Sequence, residues 1–148
     1  MNEKKLTARQ YLEQLKLIDE KINQDLEELE AIKLSAYSVG SIDYSRERVQ
    51  TSCSGDSLGN AVTRYIARSK QINSEIDLFV DAKDRIRKQI QGLNNRNYIQ
   101  VLFKIYVQYK SVKVTASEMK KSYSYVVALH KKALLEFEET YENLHYLT

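Results

Sequence analysis

The sequence predicts an all-α protein: a long antiparallel coiled-coil hairpin followed by a C-terminal three-helix domain of helix-turn-helix layout. Three observations carry this expectation. Apolar residues recur at alternating spacings of four and three along two long segments, the mark of a helix face that packs on another helix. The 148 residues include no proline and four glycines, and Gly40, Gly55, Gly59 and Gly92 all fall in or beside places where helices should stop. Beyond Asn95 the long period breaks into three short pieces.

Thr7 is a suitable N-cap for the first helix. Its stripe runs through Tyr11, Leu15, Ile18, Ile22, Leu29, Ile32 and Ala36, in register if Asp25 is counted, and Leu12 and Leu26 are expected to widen it. The second stripe runs from Leu58 through Val62, Tyr65, Ser69, Ile72, Ile76, Phe79, Lys83, Ile86 and Ile90 to Leu93, apolar except at Ser69 and Lys83. At about 1.5 Å per residue this helix would reach roughly 54 Å, a rod whose stripe must be covered. Two matching helices in one chain fold back most simply as an antiparallel hairpin, although a parallel or antiparallel dimer would use the same stripe. In a homo-oligomer, Ile72, Ile76, Phe79 and Ile86 are where subunits would meet. Ser69 and Lys83 are tolerated there by small size and by snorkelling, or else they set register and partner.

Residues 37–57 are serine-rich without an apolar period and are expected to form a flexible linker. Ser57 is placed to cap the second helix, and Gly92 with Asn94 and Asn95 to end it. This gives a hairpin over residues 1–93 and a separate domain over 94–148. In that domain Tyr98, Leu102, Ile105 and Tyr106 share one face of a helix ending near Tyr109 and Lys110, and Val112, Ala116 and Met119 mark a second, shorter helix. Ser122 then caps a third, with Val126, Leu129, Ala133, Leu134 and Phe137 facing inward, which runs into an acidic tail. Two helices so closely joined have the layout of a helix-turn-helix.

The net charge of +3 conceals a sorted distribution. Between residues 94 and 135, Arg96, Lys104, Lys110, Lys113, Lys120, Lys121, Lys131 and Lys132 stand against Glu118 alone, whereas Glu136, Glu138, Glu139 and Glu142 follow. So positive a segment points to a polyanionic partner, and a solvated basic helix face is the plainer alternative. No catalytic residues, metal site or cofactor are expected. The two histidines, His130 and His145, have no cysteine near them, no glycine-rich phosphate loop occurs, and the neighbouring carboxylates sit in helical charge runs. Cys53 alone makes no internal disulfide, and no segment is apolar enough for a signal peptide or a membrane span, so a location in the cytoplasm is expected.

In a helix-turn-helix the second helix enters the major groove while its inner face packs on the others. Lys110, Lys113, Lys120, Lys121, Lys131 and Lys132 would then meet phosphates, Ser122 would fix the start of the inserted helix, and Tyr123 and Ser124 would approach base edges. That helix has no Arg, Asn or Gln in its exposed positions, so direct base readout would be modest. Tyr98, Tyr106, Tyr109, Tyr123 and Tyr125 cluster in the basic region, some to stack or donate to phosphates and some to fill the core.

Ala116, Met119, Ser122 and Val126, followed by Leu129-His130-Lys131-Lys132-Ala133-Leu134, form a pattern that resembles region four of bacterial sigma factors. It is more similar still to the small phage-encoded regulators of that kind, including the ArpU type of late-gene activators, whose N-terminal helix also looks like Tyr11-Leu12 and Leu17-Ile18-Asp19 here. The chain departs from the family at Thr115, usually a bulky aliphatic, at Val112, usually aromatic, and at Lys120, usually glycine. If the turn keeps a positive φ, lysine there costs about 1 kcal/mol. The resemblance implies a DNA-binding transcriptional regulator of phage or prophage late genes in a bacterial host, with double-stranded DNA as partner and RNA polymerase as a second one. The competing expectation is a coiled-coil interaction module, such as an antirepressor or an inhibitor of a host protein.

Overall fold

The computed structural model describes residues 4–38 and 57–147. Among them the chain is all-α, with helices α1 (Ala8–Ser38), α2 (Ser57–Gln91), α3 (Arg96–Leu102, continued by a π-helical turn over Phe103–Val107), α4 (Val112–Met119) and α5 (Tyr123–Thr140). The two long helices lie antiparallel, the simplest of the arrangements that their matching stripes allow. The flexible linker expected over residues 37–57 falls, apart from its ends, outside the described residues, and so does Cys53. No helix is long and apolar enough to cross a membrane among the described residues.

The chain divides into two compact units, one comprising residues 1–20 with 79–148 and the other residues 21–78. In the first, the opening turns of α1 are held by a capping box. Thr7 Oγ1 accepts from the Gln10 amide at 3.3 Å, and Gln10 Oε1 accepts from the Thr7 amide at 3.1 Å. Tyr11, Leu12, Leu15 and Ile18 of α1 are buried, as are Ala82, Ile86, Ile90 and Leu93 at the end of α2, and Val101, Leu102, Tyr106, Ala116, Val126, Leu129, Ala133 and Phe137 of the later helices. The three C-terminal helices thus share a core with both ends of the hairpin helices. Lys83, the charged break in the second stripe, is tolerated because its ammonium pairs with Asp19 across the seam. The residues after α5 also belong to this unit. The Leu6 amide donates to the Leu144 carbonyl at 2.9 Å, the Leu147 amide to Gln14 Oε1 at 2.8 Å, and Leu144 is buried.

Gly92, just past the end of α2, is glycine for a steric reason. A Cβ there would lie 2.6 Å from Tyr141 Oη, whose hydroxyl donates to the Gln89 carbonyl at 2.7 Å. Asn95 then caps α3, its side chain accepting from the Asn97 and Tyr98 amides.

In the second unit the stripes face inward but are covered less. Ala36 and Ile72 are buried, whereas Ile22, Asp25, Leu29, Ile32, Val62, Tyr65, Ser69 and Ile76 keep part of their surface. Leu26, expected to widen the first stripe, is instead 48% exposed: it sits beside the seam, where a pair of helices has no third element to cover it. An exposed ion pair from Arg68 Nη2 to Glu28 Oε1 at 2.7 Å marks the level at which the two helices meet.

Candidate nucleic-acid interface

Helices α4 and α5 are separated by Lys120, Lys121 and Ser122. Ser111 caps α4, its hydroxyl accepting from the Val114 amide at 3.1 Å. At the other end Lys120 adopts φ 57°, ψ 43°, the left-handed conformation that usually selects glycine. The Lys120 amide reaches the Ser117 carbonyl at 3.2 Å and the Lys121 amide reaches Ala116 at 3.0 Å, so the last carbonyls of α4 are satisfied in a Schellman turn. Ser122 caps α5, its Oγ accepting from the Tyr125 amide at 3.1 Å. The turn that the sequence placed here therefore keeps its positive φ with a lysine in it.

Thr115 is fully buried, and its hydroxyl escapes the desolvation cost by donating to the Ser111 carbonyl at 2.9 Å. Helix α5 packs on α4 and α3, and its buried inner face is formed by Val126, Leu129, Ala133 and Phe137. The outer face follows from that. Ser124, Ala128, Lys131 and Leu135 share one exposed stripe at spacings of four and three, flanked by Lys132, with Tyr123 59% and Tyr125 42% exposed at the start of the helix.

The lysines differ in what they already hold. Lys113, Lys120, Lys131 and Lys132 are exposed and have no ion-pair partner among the described residues. Lys121 places its ammonium 5.4 Å from the Tyr125 ring centroid, a cation–π contact. Lys110, by contrast, lies 2.6 and 2.8 Å from the two Glu118 oxygens, and Lys104 lies 2.9 Å from the same carboxylate. Hydrogen bonds from Lys110 and then Lys104 hold the Glu118 carboxyl below its ordinary value. The one acidic residue of this segment thus meets two of its cations.

His130 is half-buried, with Nε2 2.7 Å from Tyr106 Oη. Burial, then the Arg9 guanidinium, lowers its pKa and favours the neutral imidazole. The Tyr106 hydroxyl is pushed up to about 12, chiefly by burial, so it stays protonated. Both residues line a cleft of about 460 Å³ with Tyr109, Lys110 and, from α1, Arg9 and Lys16. Those two cations beside Lys110 escaped the sequence reading, because nothing in the linear pattern tells that the first turns of α1 return to the C-terminal helices. Tyr109 is held at φ 55°, its hydroxyl hydrogen-bonded to Asp19, and burial followed by that carboxylate raises its pKa.

The residues expected to pair subunits divide in two. Ile72 and Ile86 are fully buried within their own chain and offer no side-chain surface to a second copy in this fold, while Ile76 and Phe79 remain part-exposed. Among the described residues no three His, Cys, Asp or Glu side chains converge as a metal site. Comparison of the chain with protein-family models, with curated proteins and with solved structures finds no match.

Proposed function

We propose that this chain is a DNA-binding transcriptional regulator in which α5 enters the major groove of double-stranded DNA, in the manner of the phage sigma-region-four-like proteins its C-terminal residues resemble. The observation that carries the reading is the two-faced character of α5. Its inner side is wholly consumed by packing, whereas Lys131 and Lys132 on the other side, with Lys113, Lys120 and Lys121 around the turn, are exposed. Such lysines position a protein on phosphates without reading sequence. Ser122 acts through the cap that orients α5, and Tyr123 and Ser124 at its first turn approach base edges. With no exposed Arg, Asn or Gln on α5, readout rests on weaker contacts, including apolar ones from Ala128 and Leu135 to thymine methyl groups. Lys110 joins the interface only by leaving Glu118. The chain performs no covalent chemistry and needs no cofactor; its setting is the cytoplasm of a bacterial host, its genes phage or prophage late genes, and RNA polymerase its second partner.

The test is retention of duplex DNA by Lys131→Glu with Lys132→Glu. Retention should be lost while far-UV circular dichroism is unchanged, and undiminished binding would reject the placement of α5. A second reading, a protein-interaction module such as an antirepressor or an inhibitor of a host protein, is favoured by the exposed Tyr123 and Tyr125, because tyrosines are enriched among the residues that anchor protein interfaces, and Leu135 adds uncovered apolar surface on the same helix. It predicts instead that Leu135→Ala abolishes partner capture and that the double lysine reversal does not.

A further inference from the structure

The second unit carries an open groove of about 440 Å³ between its two helices, floored by Ala31, Ile32, Ala61 and Tyr65 and edged by Glu28 on one wall and Arg64 on the other. Two observations say what kind of surface fits it. The first is burial: among the described heptad residues here, only Ala36 and Ile72 are closed off, so a seam patterned for a coiled coil is left open along its side. The second is charge. On this side α1 presents Glu28, while α2 presents Arg64 and Arg68, with no acidic residue from 57 to 74.

One wall is therefore the electrostatic complement of the other. Because the helices are antiparallel, a two-fold axis running along them lays α1 of one copy against α2 of its mate, antiparallel and at the same level. The Arg68–Glu28 pair marks that level, with Ala31 beside Arg64 and Tyr65. A two-fold axis across the helices would instead set acidic wall on acidic wall. We propose that this groove is the interface with a second copy of the chain, paired about the axis along the hairpin into a four-helix arrangement. Arg64 is exposed and has no ion-pair partner among the described residues, so it is available to meet the mate's acidic wall. The assignment is independent of the nucleic-acid reading, and it replaces the buried Ile72 and Ile86 as the place where subunits join.

Sedimentation equilibrium of the full chain tests it. The wild type should be a dimer at concentrations on the order of tens of micromolar, and a monomer there would overturn the proposal. Arg64→Glu alone and Ala31→Arg alone each put like charges face to face and should raise the dimer dissociation constant about tenfold or more. Mixing the two variants should restore dimerisation, since the carboxylate introduced on α2 of one copy then meets the guanidinium introduced on α1 of the other, while the opposite half of the interface stays wild type. Restoration on mixing is specific to α1 lying against the mate's α2. A mixture that stays monomeric, or an Arg64→Glu protein as dimeric as the wild type, would overturn the proposal. Arg64→Gln, which removes the charge without reversing it, should weaken the dimer by a smaller factor and serves in its place should Arg64→Glu lose helicity.

Discussion

Replacing Lys120 with glycine should make this protein more stable, although it deletes a side chain and adds none. Lys120 stands at φ 57°, and a residue with a Cβ pays about 1–2 kcal/mol to occupy that region. Glycine has no such strain in the folded state, but its freer unfolded chain returns about 0.5–1 kcal/mol of the gain. The two hydrogen bonds of the turn come from backbone amides and survive the change. A net stabilisation of about 0.5–1 kcal/mol remains, a shift of about 1–4 °C in Tm for a chain of this size. Urea denaturation with an unchanged m-value measures it. Lys121→Gly is the control. Its φ is not positive, so glycine there has no strain to relieve and should cost about 0.5–1 kcal/mol. If Lys120→Gly lowers stability, or if both variants move in the same direction, the left-handed turn between α4 and α5 is wrong.

Other expectations follow from the same contacts. Ser122→Ala removes the acceptor of the Tyr125 amide and should cost about 1 kcal/mol in urea denaturation, with Ser122→Asp retaining most of the stability. For His130 the folded pKa is depressed, so its contribution is complete above the ordinary value of 6.5 and is lost as pH falls below that value through the folded one. The urea midpoint should decline across that window in the wild type and less so in His130→Gln. Gly92→Ala should destabilise by about 1–3 kcal/mol because its methyl meets Tyr141 Oη, and in a Tyr141→Phe background, where that oxygen is gone, the penalty should shrink.

The parts of the fold that follow from periodicity were legible: the inward registers of α1 and α2, the inner face of α5, and the three-residue break before it. Capping chemistry was legible at Thr7 and Ser122, which announce helix starts by side-chain type, whereas Asn95, read as part of the end of α2, instead caps α3. Leu26 misled because periodicity gives the width of an apolar stripe and not the number of neighbours available to cover it. The π-helical turn at Phe103–Val107 and the left-handed Tyr109 leave no trace in composition. Docking of Leu144, and of the His145 and Leu147 backbone on the Gln14 side chain, depends on contacts between residues some 130 positions apart, beyond the reach of any local pattern. Within the candidate interface the exposed lysines were identifiable from charge sorting. That Glu118 claims Lys104 and Lys110 was not, because the pairing needs the chain to bend between them.

The proposed DNA binding requires exposed lysines around α4 and α5 to meet phosphates, and the most direct measurement is the affinity of the whole chain for duplex DNA as a function of salt. Each phosphate contact contributes a slope of about −0.9 in a plot of log affinity against log salt. Five available lysines, Lys113, Lys120, Lys121, Lys131 and Lys132, predict a slope of about −4.5, reduced in magnitude by about 1.8 when Lys131 and Lys132 are neutralised to Gln. A duplex affinity that is absent at low salt, or one that does not change with salt, would contradict that assignment.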